Sequence, residues 1–367
     1  MTTARPRLTR SVLGRLRLAA QGLIGPGFAS VPAAVRTMTA LQAQDLPASL
    51  WAVGLRVPGS RVADVRAGLD RGEIVRSWPM RGTLHLVAPE DLKWVLNITS
   101  GRLIRGLATR HRELGISMAD IDAAADAAMQ RVAGGSAVSR KELFEAFELA
   151  GQRTTGQRGI HLLSVLCQLC LLVQGPLAGN QQLIVAFDGW ITTSRKLGRE
   201  EGTAEWLLRY LRSHGPATER DFAWWSGIPL TETRAALAEV SHLLVDLEFE
   251  GRRYWLAPET AALLEDGVPG QRSVLLLPGF DEFILGYTDR SIPLHPRHAD
   301  KIVPGGNGVF KKAIVAGGEV LGTWSAARSG RSVAVVAEPF GGADGLRPAA
   351  RRSFELRAAE YRRFLGP

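Results

Sequence analysis

Apolar residues recur at helical spacing through TAEWLLRYLRSH, residues 203–214, and the run is stopped by Gly215 and Pro216. Thr218 stands where a cap is needed for a second, short helix in TERDFAWWSGI, and PLTETRAALAEV gives a third with Thr231 as its N-cap. The period then changes to two in LLVDLEFEGRRYWLAP, which reads as two strands turning at Glu250 and Gly251. Three helices followed by a hairpin are the parts of a winged helix. The same order recurs upstream, with helices in SRKELFEAFELAG and GIHLLSVLCQLCLL and a hairpin in LCLLVQGPLAGNQQLIVAFD that turns near Gly175 to Asn180. A looser copy lies nearer the start: helices in TRSVLGRLRLAAQGL, VPAAVRTMTALQAQ and VADVRAGLDRGEI, then strand material in VRSWPMRGTLHLV. Repetition on that scale predicts tandem units.

Beyond residue 270 the helical period disappears. SVLLLPGFDEFILGYTD, KKAIVAGGEVLGTWSAA and RSVAVVAEPF read as short strands split by glycine and proline, and RRSFELRAAEYRRFL as a closing helix. The predicted fold class is therefore α+β: three tandem winged-helix motifs over residues 1–115, 116–200 and 201–268, then a small C-terminal β-barrel domain with a terminal helix over 269–367.

Composition changes this picture in two ways. At 367 residues and 46% hydrophobic content the chain can bury several cores, yet no apolar run reaches the roughly 18 to 20 residues of a membrane span. Arg15 and Arg17 interrupt the first apolar stretch, which argues against a signal peptide. The expectation is a soluble, cytoplasmic, nucleoid-associated monomer with no obligate protein partner. A net charge of +9 also favours polyanions, and it is unevenly spread: Arg5, Arg7, Arg10, Arg15, Arg17 and Arg36 all precede the first acidic residue, Asp45. Lys93, Arg102, Arg105, Arg110 and Arg112 form a second basic stretch. Winged helices with such a basic end predict double-stranded DNA as the partner.

Familiar catalytic apparatus is missing: no phosphate-cradling glycine loop, no HExxH and no GxSxG occurs. Cys167 and Cys170 have C-x-x-C spacing but no second pair to complete a zinc site, and read as buried thiols on an apolar helix. The seven histidines show no ligand spacing apart from His295 and His298, which share a polar loop. No metal and no cofactor are expected. Arg81 and His85 bracket a Gly-Thr step in RGTLHLV, where His85 either faces a groove or is a satisfied core histidine. The harder stretch is TALQAQDLPAS, with Gln42 and Gln44 either side of Ala43 and followed by Asp45. On a helix the two amides would diverge by about 200°, whereas in an extended or loop segment they share a face. The alternative is that Gln44 and Asp45 end a helix, hydrogen-bonding free backbone groups ahead of Pro47.

The blocks ALQAQD, MRGTLHLV, FDEFILGYTDR and GGEVLGTW, in this order and spacing, resemble the bacterial winged-helix DNA glycosylases of the AlkZ and AlkX group over nearly the whole chain. The resemblance implies three tandem winged helices and a C-terminal β-barrel wrapped around duplex DNA. It implies hydrolysis of the N-glycosidic bond of bulky N7-alkylguanines, interstrand crosslinks included, without lyase activity at the abasic site. The family signature of Gln, a hydrophobic residue and then Gln or Asp is matched by Gln42, Ala43 and Gln44, with Ala43 smaller than the usual middle residue. The two-glutamine form resembles the azinomycin-resistance branch, which implies self-resistance to a genotoxic natural product. On this resemblance Gln42 and Gln44 are the catalytic pair, with Asp45, Arg81 and His85 as possible support. Phosphate contacts are expected from the arginine-rich first third, Arg36 and Arg81 among them, and from Lys311 and Lys312 beside the turn in VPGGNGVFKK. HPRHADKIVP, with His298, is the candidate for a hairpin that probes the groove. The competing reading is a non-catalytic winged-helix DNA-binding protein, either a regulator or an adduct-masking factor. A small-molecule hydrolase has only two polar loop residues behind it.

Overall fold

Thr9 accepts a hydrogen bond from the Val12 amide and opens helix α1, Arg10–Ala20, in the computed structural model, which describes residues 7–330, 332–342 and 345–366. Arg5 of the basic run lies outside the described residues. By backbone contacts the chain divides into two units, one made of Met1–Val65 with Thr203–Pro367, the other of Arg66–Gly202.

In the first unit α1 buries Val12, Leu13, Leu16 and Leu18, and its Gly14 lies so close to the Gly318 carbonyl that a Cβ there would come within 2.2 Å of the oxygen. Helix α2, Val31–Met38, is capped by Ser30 and ends well before Gln44, the limit expected from its pattern. Thr39 stops it by adopting φ 63° and ψ −46°, a conformation that a β-branched residue seldom holds and that carries the chain off the helix axis. An extended segment β1, Leu41–Gln42, follows, and then helix α3, Leu46–Arg56. Asp45 is the N-cap of α3 and accepts from the Ala48 amide at 3.1 Å. The expectation that Gln44 and Asp45 end a helix is thus corrected: Asp45 begins one, and Pro47 fits its first turn because the missing N–H would have had no partner there. The sequence pattern concealed α3 because it is buried almost all round and shows no polar stripe.

Later in the same unit, Thr218 and Asp221 close a capping box on helix Glu219–Ser226, as Thr218 was expected to do. Helix Leu230–Val240 starts one residue before Thr231, with Pro229 in the cap position and no side-chain cap bond, which corrects the assignment of Thr231. Strands Val245–Phe249 and Arg252–Leu256 turn through Glu250 and Gly251, both at positive φ as a two-residue hairpin requires. Strands Val274–Leu277, Ala313–Ala316, Glu319–Ser329 and Ser332–Pro339 form an antiparallel meander in that order. Its first and last strands stay at opposite edges, so no closed barrel forms among the described residues. Helix Pro348–Leu365 serves both edges instead: Arg357 donates to the Val274 carbonyl at 3.0 Å and Arg362 to that of Val333 at 2.8 Å. FDEFILGYTD leaves the sheet after Leu277, and Asp281 caps the helical turn Glu282–Leu285. HPRHADKIVP is likewise no hairpin but a 3-10 turn, Pro296–His298, running into helix Ala299–Ile302.

The second unit joins two hairpins in one four-strand array, ordered Thr83–Val87, Val75–Met80, Leu172–Ala178, Gln181–Ala186, with Arg76 opposite Gln174 at the junction. Helices Met118–Arg131, Arg140–Leu149 and Arg158–Gln168 bury Ala124, Ala128, Leu143, Phe147, Leu162 and Leu166 against Trp78, Leu84 and Ile184 of this array. Cys167 is buried on the last of these helices, while Cys170 lies beyond its end and is only partly buried. Burial pushes the Cys170 thiol up to about 11 and that of Cys167 higher still, so both favour the protonated form. Among the described residues no helix is long and apolar enough to cross a membrane.

Candidate active site

The Gln-x-Gln segment is shaped from both sides, by the abrupt end of α2 at Thr39 and by the cap of α3 at Asp45. Between them the chain cannot be helical, and Gln42 lies extended. Gln42 is 8% exposed and Ala43 fully buried, whereas Gln44 and Asp45 are exposed. The Gln42 side-chain oxygen accepts from the Gln44 backbone N–H at 3.4 Å, so the Gln42 side chain folds back onto the Gln44 backbone.

Behind this segment is a layer of buried polar groups drawn from distant parts of the same unit. The Gln42 amide donates to Oε1 of Glu282 at 3.1 Å, and the Trp225 indole donates to Oε2 at 2.8 Å. The Glu282 side chain has no solvent exposure. His214 Nε2 stands 3.7 Å from Glu282 Oε2, beyond hydrogen-bond reach, and its ring is stacked on Tyr210 with centroids 4.5 Å apart. Burial lowers the pKa of His214, against an opposing pull from Glu282, so the ring favours its neutral form. Burial raises the phenol pKa values of Tyr210 and Tyr287, which therefore act as donors: Tyr210 to the Gly286 carbonyl at 2.7 Å, Tyr287 to that of His214 at 2.6 Å.

One residue before Glu282, Asp281 takes both arms of the Arg56 guanidinium at 2.8 and 3.0 Å, and both side chains are fully buried. Arg56 also donates to Gln21 at 2.8 Å, and Gln21 in turn donates to Tyr287 at 3.1 Å. Arg17 lies 3.6 Å above the Tyr287 ring. The pieces of α1, α3 and the Glu282–Leu285 turn are thereby locked around Gln42.

The other expected site residues fall in three places. Arg36 is exposed on the last turn of α2, and its carbonyl accepts from the Arg209 guanidinium. Arg81 and His85 belong to the second unit and pair with each other at 3.3 Å. His85 is fully buried, and its Nδ1 lies 2.9 Å from the Thr83 carbonyl, an arrangement that protonates Nδ1 and leaves Nε2 to accept from Arg81. His298, Lys311 and Lys312 lie on the long link ahead of strand Ala313–Ala316. Lys311 is exposed, Lys312 sits 4.8 Å over Trp324, and His298 packs on Phe340 at 4.4 Å and accepts from Arg297 at 3.0 Å. Among the described residues no cluster of three metal-binding side chains occurs.

Asp281, Glu282, Arg56, Trp225 and His214 escaped the sequence reading. The signal for Asp281 and Glu282 was present in FDEFILGY, since two adjacent acids inside an apolar run must be partnered if that run is buried.

The family model described as "DNA glycosylase AlkZ-like" matches residues 35–364. A curated relative from Streptomyces sahachiroi, named "Interstrand DNA cross-link repair glycosylase", is 26% identical over 299 residues, covering 76% of this chain and 78% of the relative. The solved structure of the Streptomyces sahachiroi DNA glycosylase AlkZ has a TM-score of 0.81 at 22% identity, spanning 98% of this chain and 97% of that one, which establishes a shared α+β fold. With nearly all of its length matched by the family model, the chain belongs to the AlkZ-like DNA glycosylase family.

Proposed function

We propose that this protein is a monofunctional DNA glycosylase that removes bulky N7-alkylguanines from duplex DNA, interstrand crosslinks included, and protects its host from a genotoxic natural product. The crosslink assignment draws on the name of the Streptomyces sahachiroi relative. The observation that carries the reading is local: in a member of this family the Gln-x-Gln segment exposes Gln44 while Gln42 is held from behind.

Alkylation at N7 makes guanine cationic, so the N9–C1′ bond breaks with its electron pair passing to the base, and no strong acid is needed. Positive charge develops on the deoxyribose, where the amide oxygens of Gln42 and Gln44 stabilise it and hold a water against C1′. The water oxygen bonds to C1′, its proton leaves to solvent, and the products are a neutral base and an abasic site. No amine stands in the segment to form a Schiff base, in keeping with hydrolysis without strand cleavage. An exposed glutamine suits a lesion that cannot rotate into a deep pocket.

In this reading Asp45 supports the site as the cap of α3. Arg36, Arg81, Lys311, Lys312 and His298 serve the DNA backbone, where Arg and Lys release counterions from phosphates. The three helix-and-hairpin stretches over 1–115, 116–200 and 201–268 are the winged helices, and the molecule acts as a monomer in the nucleoid.

The test is base release from DNA carrying a single N7-alkylguanine, followed as abasic sites. Removing one transition-state amide typically costs about 100- to 1,000-fold in rate. The double substitution Gln42→Ala, Gln44→Ala should therefore abolish detectable release, and undiminished release would sink these residues as the catalytic pair.

A further inference from the structure

We infer that Glu282 is a positioning residue for the reaction: its buried carboxylate fixes the backbone of the Gln-x-Gln segment through the Gln42 amide and so aims the Gln42 side chain. The inference rests on the proposed role of Gln42. It follows from how much of the fold is spent on holding one carboxylate still. Glu282 opens the helical turn Glu282–Leu285, whose cap is Asp281, and Asp281 is itself pinned by two bonds from buried Arg56. The Trp225 indole fixes one Glu282 oxygen at 2.8 Å, which leaves the other oriented toward the Gln42 amide at 3.1 Å.

A hydrogen bond to a carboxylate is charge-assisted, and with no solvent exposure at Glu282 water does not compete for it. The bond reaches across 240 residues to the second residue of β1, three positions after Thr39, whose own backbone conformation is unfavourable. Without the acceptor, the Gln42 N–H is left buried and the segment shifts to satisfy it. A displacement of about 1 Å at a reacting group costs on the order of 100-fold in rate, so the effect belongs in kcat rather than in DNA affinity.

Glu282→Gln is nearly isosteric but offers one acceptor oxygen in place of two, so it can serve either Trp225 or Gln42, not both. On N7-alkylguanine DNA it should lower kcat by about tenfold or more, while KM changes less than about threefold. Adding Trp225→Phe removes the competing donor and frees the single oxygen for Gln42, so the double variant should recover kcat toward that of Trp225→Phe alone. Selective 15N-glutamine labelling gives a second readout without DNA: the Gln42 amide proton should move upfield in Glu282→Gln and back in the double variant. A folded Glu282→Gln protein with wild-type kcat, or one losing kcat, affinity and thermal stability together with no rescue, overturns the inference. Should Glu282→Gln not fold, Glu282→Asp keeps the charge but withdraws the oxygens; a wild-type kcat with a shifted Gln42 resonance would overturn it equally. If instead the Gln42 resonance responds but Gln42→Ala, Gln44→Ala releases base normally, the error lies in the role given to the glutamines.

Discussion

The pair of Arg56 and Asp281 carries opposite charges with no solvent exposure, and the cost of disturbing it depends on how it is broken. Asp281→Ala would leave the guanidinium buried with Gln21 and the Ala52 carbonyl as its remaining partners among the described residues, a loss of about 3 to 5 kcal/mol. Replacing both groups, Arg56→Met with Asp281→Leu, removes the stranded charge and should cost clearly less than the single change. Urea midpoints with unchanged slopes would show this; equal losses would mean that the stranded Arg56 guanidinium carries no penalty of its own. At this scale the site was half legible. Gln42 and Gln44 are singled out by the resemblance of ALQAQD to a family signature, since pattern alone reads the stretch equally well as a helix end. Glu282 could not be matched to them, because hydrophobic pattern reports which residues are buried and is silent about a partner 240 positions away.

Local signals served the elements they govern. The hairpin at Glu250 and Gly251 and the cap at Thr218 appear where turn and capping chemistry placed them. Helix α3 and helix Pro89–Gly106 were missed, the first because burial on nearly every side erases the helical stripe. The end of α2 was misplaced because it depends on Thr39 holding a conformation that its own propensity opposes. Glycine gives an element-scale test in which two effects compete. Alanine in a helix interior is favoured by about 1 kcal/mol over glycine. At Gly14 the new Cβ would meet the backbone oxygen of Gly318 at 2.2 Å, and forcing α1 off that turn costs about 1 to 3 kcal/mol, so Gly14→Ala should destabilise. At Gly101, on an exposed helix position, only the Arg105 guanidinium lies within 4 Å, so Gly101→Ala should stabilise by up to about 1 kcal/mol. Thermal unfolding of the two variants should shift in opposite directions; a rise for Gly14→Ala would contradict the close packing of α1, and a fall for Gly101→Ala the open surroundings of Gly101.

Across the whole molecule, both units carry histidines held neutral by burial: His214 in one, His111 and His161 in the other, the last two with ring centroids 5.5 Å apart. Burial lowers each pKa, and for His161 the neighbouring His111 lowers it further. An unfolded histidine titrates near 6.5, so below about pH 6.5 the unfolded chain binds protons that the folded chain refuses. Acid therefore favours unfolding, while above that pH all three rings are neutral in both states and contribute no slope. Ordinary carboxylates titrate near 4, which leaves the interval from pH 7 to about 5.5 to these rings together with His298, whose pKa burial and the neighbouring Arg297 and Lys301 also lower. Stability measured by urea should fall as pH drops through that interval. His214→Phe keeps an aromatic ring against Tyr210 and removes one titrating group, so its stability should depend less steeply on pH than that of the parent. A parent protein whose urea midpoint is flat from pH 7 to 5.5, or a His214→Phe variant with the full parental slope, would show that these rings take up protons without unfolding the core.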